Sequence, residues 1–432
     1  MRLLDAARAT PVGRDRVIDF VRTASLAAVI LGHWLMASVT VTEAGIRGRN
    51  ALTDLPWLQP LTWLLQVMPL FFVAGGFANL VSWRGVLRGG GGYASYAYGR
   101  ISRLMTPTLV FVTAVPIALL ALPVIGLSAG EVAVAGDLLG RPLWFLGVYV
   151  LITALAPALA AWHDRQPVAA LATLGAMAVG TDIVRFNGLT PVGYLNFGFV
   201  WLFAQQLGFW YADGRITRLS RGAFWACLAG SIGLLTILTG FGPYPLSMVG
   251  LPGEVSNMAP PTVCLLVLSA GQVAALMLVR SRLAAWLEQP RPWSAVVLVG
   301  SMAMTLYLWH LAVLVFGFGG LVWLDVPTPE PGTAAWWLTR PVWCALLGAL
   351  LAAIAVWLAR FERSDGSRRM CPANRGVVMA GVGTVVVSAG LFGVVFGGLV
   401  PSMSLVFSLA AVASGLTLTT RAANLPRQTY IH

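Results

Sequence analysis

The chain has 432 residues, of which 58% are hydrophobic and 10% charged, with a mean hydropathy of +0.80 and a formal net charge of +12. Such a composition excludes a soluble globular domain and marks a polytopic membrane protein. All 28 basic residues are arginine, and in a membrane chain that excess reads as topology rather than nucleic-acid binding, because arginines gather in cytoplasmic loops.

The polar opening MRLLDAARATPVGRDR is too long for a signal peptide, and the apolar run after it has no small-residue cleavage site. The first span is therefore expected to stay in place. Windows of about 20 apolar residues predict spans near 18–39, 59–82, 104–122, 143–162, 168–185, 194–212, 223–242, 262–280, 294–318, 341–360, 376–397 and 402–420. Only FGGLVPSMSL separates the last two, which read as a tight hairpin or one reworked unit. With the N-terminus inside, Arg47, Arg49, Arg141, Arg185 and Arg340 fall outside, and the other 23 of 28 arginines lie at the cytoplasmic side. The expected fold is an all-α polytopic membrane protein of about 10–12 transmembrane helices with both termini cytoplasmic. Its parts are a cytoplasmic segment 1–17, a transmembrane domain 18–420 and a tail 421–432, with no appended soluble domain.

The first span, RVIDFVRTASLAAVILGHWLM, carries Arg22 and His33. Eleven positions return them to within about 20° of one helix face, roughly 16 Å apart. Ionisable residues at membrane depth are costly and mark function by default. Asp19, three residues before Arg22, is placed for an ion pair with it. In MPLFFVAGGFANLVSW, Gly75 and Gly76 permit close helix contact or a local unwinding, with close packing the expected use. SYAYGRISRLMTP puts Arg100 and Arg103 one turn apart at the start of the third span, where paired guanidiniums suit phosphate. RPLWFLGVYVL opens the fourth span with Trp144 and Phe145, which fit an interfacial aromatic belt. The ninth span, MAMTLYLWHLAVL, places His310 at a depth similar to that of His33, with Tyr307 on the same face. Four cysteines without CxxC spacing give no disulfide framework, and no metal site is expected.

Taken in order, DFVRTASLAAVILGH, PLFFVAGGFAN, YGRISRLMTP, LWFLGVYVL and LYLWH resemble the membrane acyltransferase-3 family, over about residues 14–320. The resemblance implies an O-acyltransferase of a bacterial cytoplasmic membrane that uses cytoplasmic acyl-CoA, commonly acetyl-CoA, as co-substrate. Its acceptor would be a hydroxyl of a carbohydrate, glycolipid or similar molecule at the outer face. On this resemblance His33 and Arg22 match the first-span pair of the family, and Arg100 and Arg103 its Arg-x-x-Arg pair. The chain departs from the pattern at Ala74–Gly75, where a small polar residue is usual.

Joined to the resemblance, the residues suggest a mechanism. Arg100 and Arg103 would hold the phosphates of acyl-CoA. His33 would serve as general base or acyl carrier. Arg22 would orient the donor, and Tyr307 and His310 would hydrogen-bond the acceptor or oxyanion. The outer loop YPLSMVGLPGEVSNMAPP offers Glu254 and Asn257 for acceptor recognition. A proton-coupled secondary transporter, or a flippase for lipid-linked glycans, also accounts for intramembrane His and Arg in twelve spans. Dependence on CoA separates the enzyme from both.

Overall fold

The computed structural model describes residues 13–42, 45–362 and 376–424. Most of the two terminal segments, and Cys371, lie outside the described residues. In chain order the elements are α1 (Arg16–Met36), β1 (Ala37–Thr42), β2 (Gly45–Asn50), α2 (Met68–Arg88), α3 (Tyr93–Ala121), α4 (Ala129–Gly140), α5 (Leu143–Arg165), α6 (Pro167–Phe186), α7 (Asn196–Ala212), α8 (Arg221–Phe241), α9 (Val263–Glu288), α10 (Pro290–Ser301), α11 (Ala303–Trp323), α12 (Ala334–Glu362), α13 (Val377–Gly397) and α14 (Met403–Ala423). The fold is all-α and polytopic apart from the antiparallel β1–β2 hairpin, which apolar windows do not reveal.

Among the described residues eleven helical segments are long and apolar enough to cross a membrane. A twelfth crossing is α7, whose 17 residues sit at the lower limit for a span. At one end Asn196 donates to Asp182 of α6 at 2.9 Å, and near the other Tyr211 donates to Asp15 at the start of α1 at 2.8 Å. The short helix thus joins the polar clusters at both faces. An even number of crossings returns the end of α14 to the side on which α1 begins.

Local sequence explains several boundaries. Asp15 caps α1 by accepting from the backbone amides of Val17 and Ile18. The third helix begins at Tyr93 and not near 104, so Arg100 and Arg103 lie two to three turns inside it rather than at its N-terminus. The extension holds because the polar-looking SYAYGR turn is packed: Ala94, Tyr96 and Ala97 are buried, and the Tyr96 hydroxyl donates to the Thr153 carbonyl at 3.2 Å. The window at 294–318 breaks at Met302 into α10 and α11, which makes His310 the eighth residue of its helix. The final apolar region is a true hairpin. A Cβ on Gly390 would lie 2.7 Å from the Ser408 carbonyl oxygen, so α13 and α14 meet backbone to backbone.

The core lies where α2, α5, α7 and α9 meet, with Phe72 stacked on Trp201 at 4.5 Å between ring centroids. Gly76 and Gly208 bring α2 and α7 close: a Cβ on Gly76 would lie 2.2 Å from the Gln205 carbonyl oxygen. Close packing is therefore the use of that glycine, and α2 runs through it unbroken. Phe145, by contrast, is no belt residue. It is 6% exposed and packs edge-on against Phe71 at 5.3 Å, because α5 starts beneath α2 rather than beside lipid.

Candidate active site

On α1, Val17, Ile18, Val21, Ser25, Leu26, Ile30 and Trp34 are buried. At 100° per residue these positions bracket the directions of Arg22, Val29 and His33 on both sides. Arg22 and His33 are nonetheless solvent-accessible, so their stripe faces a cleft within the bundle and not lipid, which Ala27 and Leu31 meet. His33 is the eighteenth residue of α1, about 26 Å from the helix start and so in the far half of that span.

His33 and His310 touch. Their rings stack with centroids 5.1 Å apart, and His33 Nδ1 lies 3.0 Å from His310 Nε2. The hydrogen bonds fix the tautomers of the neutral pair. His310 Nδ1 lies 2.5 Å from the Tyr307 backbone carbonyl, which only accepts, so Nδ1 carries the proton and Nε2 is left as acceptor. His33 Nδ1 must then donate to it. The consequence is a lone pair on His33 Nε2. His310 is fully buried and His33 is not, so the free base belongs to the accessible ring.

Two clasps hold this end of α1. Trp34 Nε1 donates to the His310 carbonyl at 3.0 Å, which ties α1 to α11. Arg340 of α12 donates to the carbonyls of Ala37 at 3.1 Å and Trp34 at 3.4 Å, and stacks over Trp336. A cation at a helix C-terminus is favourable. Arg340 is 5% exposed, so it serves inside the protein rather than in an outer loop.

Toward the end of the bundle where α1 begins, Arg100 donates to Asn79 Oδ1 at 2.6 Å, and Asn79 Nδ2 donates to Gln205 Oε1 at 2.7 Å. Asn79 and Gln205 are buried, and sequence reasoning missed both; the available signal was a carboxamide in an apolar run. Arg100 also reaches the Tyr149 hydroxyl at 3.4 Å. From there a row of rings leads outward: Tyr149 to Phe145 at 5.7 Å, Phe145 to Tyr307 at 5.3 Å, and Tyr307 to His310 at 5.8 Å. Arg103 is exposed one turn beyond Arg100.

Other expected residues stand elsewhere. Asp19 pairs with Arg14 at 2.5 Å and not with Arg22, which makes no ion pair or hydrogen bond among the described residues. The chain before α1 turns back over Asp19, whereas Arg22 points into the cleft. The Tyr307 hydroxyl is committed to the Pro142 carbonyl at 2.7 Å, so its ring and not its hydroxyl borders the site. Asn257 is fully buried: its amide donates to the Pro245 and Ser247 carbonyls and its Oδ1 accepts from Thr262. It clasps the outer loop internally and has no free group for an acceptor. Glu254 is exposed in the same loop. That loop is pinned onto the segment before α2 by Trp63 and Gln66, which donate to the Leu246 and Met248 carbonyls at 2.9 and 3.0 Å. The Tyr244 hydroxyl donates to Asp182 at 3.1 Å, and burial pushes its pKa upward. Among the described residues no group of three or more His, Cys, Asp or Glu side chains is arranged to hold a metal ion.

A family model described as an acyltransferase domain, Acyl_transf_3, matches residues 15–360. The chain belongs to the acyltransferase-3 family. No curated protein and no solved structure matches it. The matched stretch of this acyltransferase holds His33, His310, Arg22, Arg100 and Arg340, and ends before α13 and α14.

Proposed function

We propose that the protein transfers an acyl group, by family resemblance acetyl, from cytoplasmic acyl-CoA to a hydroxyl of a carbohydrate or glycolipid at the outer face of a bacterial cytoplasmic membrane. The observation that carries this reading is the lone pair on His33 Nε2, exposed to a cleft in the outer half of the bundle. A base there meets an acceptor from outside, while the donor reaches it from within.

The roles follow from position. Arg100 and Arg103 bind the phosphates of acyl-CoA at the inner part of the cleft, Arg100 held in place by Asn79. Arg22, which has no ion pair or hydrogen bond among the described residues, steadies the donor between them and His33. His33 Nε2 takes the proton of the acceptor hydroxyl as its oxygen attacks the thioester carbonyl carbon. The carbon–sulfur bond then breaks, and the departing thiolate takes the proton from the His33 imidazolium. His310 accepts the Nδ1 hydrogen bond throughout and keeps the ring oriented. Glu254 remains a candidate contact for the acceptor, since it alone of the two loop residues is accessible.

The test is release of CoA from acetyl-CoA by the purified protein in nanodiscs supplied with envelope glycolipid extract. His33→Ala is expected to lower kcat by about 10² to 10⁴, the usual share of a general base. Arg100→Ala with Arg103→Ala is expected to raise the donor KM instead. Absence of both donor binding and turnover across acyl lengths in the wild type removes the enzyme reading and favours a carrier.

A further inference from the structure

Between the arginines and the histidine pair lies a narrow cavity of about 20 Å³, lined by Ser25, Val29, Met68, Phe71, Phe145 and Tyr307 among others. It sits on the Arg22–His33 stripe, since Val29 is one turn before His33, and its Tyr307 wall is the ring that abuts His310 at 5.8 Å. Such a volume holds about one water-sized group, and a methyl is close to that size. The far wall is rigid: Phe145 is locked by Phe71 at 5.3 Å, Tyr149 at 5.7 Å and Tyr307 at 5.3 Å, and the Tyr307 hydroxyl is anchored to Pro142. Ser25 also borders the space, whose surface is apolar throughout.

We propose that this cavity is the acyl pocket and that Phe71, Phe145, Tyr307 and Val29 restrict the donor to acetyl-CoA. The inference rests on the acyl-transfer reading above. In the bound donor the methyl points at the Phe145 ring, and the carbonyl carbon is presented toward His33, one turn along α1 from Val29. A longer chain meets the locked aromatic wall, and displacing well-packed rings is costly.

The test measures kcat/KM for acetyl-, propionyl-, butyryl- and hexanoyl-CoA with the full-length protein in nanodiscs. A fitted apolar pocket discriminates about 10- to 200-fold per methylene, so the wild type is expected to prefer acetyl over butyryl by more than about 10-fold. Phe145→Ala and Val29→Ala each widen the cavity and are expected to raise the butyryl-to-acetyl ratio about 10-fold or more. Within one variant that ratio is independent of the fraction folded, and Val29, only half-buried, is a mild change where Phe145→Ala fails to fold. Acetyl turnover with a flat chain-length profile, or a ratio unmoved in both variants, overturns the pocket and leaves acyl transfer standing. No turnover of any acyl-CoA overturns both.

Discussion

The Tyr307 carbonyl decides more about the chemistry than its hydroxyl does. By accepting from His310 Nδ1 it makes His310 Nε2 an acceptor, and that acceptor in turn orients His33. His310 is thus a positioning residue, too buried to touch an acceptor hydroxyl directly. His310→Ala is expected to lower kcat by as much as about 10² to 10⁴, because the remaining imidazole loses its preferred tautomer and orientation. Donor KM should hold, because the Arg100–Asn79–Gln205 chain is untouched. Steady-state kinetics over a range of acetyl-CoA separates the two parameters, and a rise in KM with unchanged kcat would put His310 in donor binding instead. The histidines themselves were legible in the sequence: each interrupts an apolar run, and counting residues into the spans placed them at similar depth. Their hydrogen bond was not legible. Neither was the contact of Asn79 with Gln205, since residues on separate helices meet only through the crossing geometry of the helices.

Helix packing sets that crossing geometry, and at the α2–α7 contact it depends on glycine. A Cβ at Gly76 would lie 2.2 Å from the Gln205 carbonyl oxygen, and one at Gly208 would lie 2.0 Å from that of Val73. Both clashes are with backbone, so whole helices have to separate. Gly76→Ala is expected to cost about 1 to 3 kcal/mol or more as overpacking and to lower the thermal unfolding midpoint in nanodiscs. The same displacement carries Gln205 away from Asn79 and loosens Arg100, so the fraction that folds should show a raised acetyl-CoA KM. Gly85 faces open space on the same helix, and Gly85→Ala is the control: an equal loss of stability there would refute the packing argument. The Gly75–Gly76 pair announced close packing in the sequence. Boundaries were harder to read, because hydropathy windows average over residues. The polar-looking start of α3 is buried by its tyrosine and alanines, and Met302 breaks a run that looks continuous.

Across the whole molecule the helix ends on the side where α1 begins are laced by charge. Arg84 of α2 donates to Asp213 at 2.5 Å and to Asp164 at 2.8 Å, and Asp213 also accepts from His163 at 3.0 Å, so α2, α5 and the end of α7 are held together. Gln206 donates to His163 Nδ1 at 2.7 Å, which leaves the Nε2 proton for Asp213. Partial burial works against the ionised Asp213 carboxyl, but the hydrogen bonds from Arg84 and His163 outweigh it and hold its pKa below the usual carboxylate value. A depressed carboxylate contributes stability that is complete above its unfolded pKa, about 3.9, and is lost as pH falls through the folded value. Thermal midpoints in nanodiscs should therefore change little from pH 7 to about pH 5 through this group and fall below about pH 4. Asp213→Asn should lower the midpoint at pH 7, because Arg84 loses its closest partner, and should flatten the acid limb. The arginine bias placed these ends at one side of the membrane, yet it gave no sign of which carboxylate Arg84 meets, since Asp164, in the last turn of α5, and Asp213, just after α7, lie far along the chain. An acid limb as steep in Asp213→Asn as in the wild type would assign it to other carboxylates, and the lacing would then rest on Asp164 and on the Asp15–Tyr211–Arg280 contacts that tie α1 to α7 and α9.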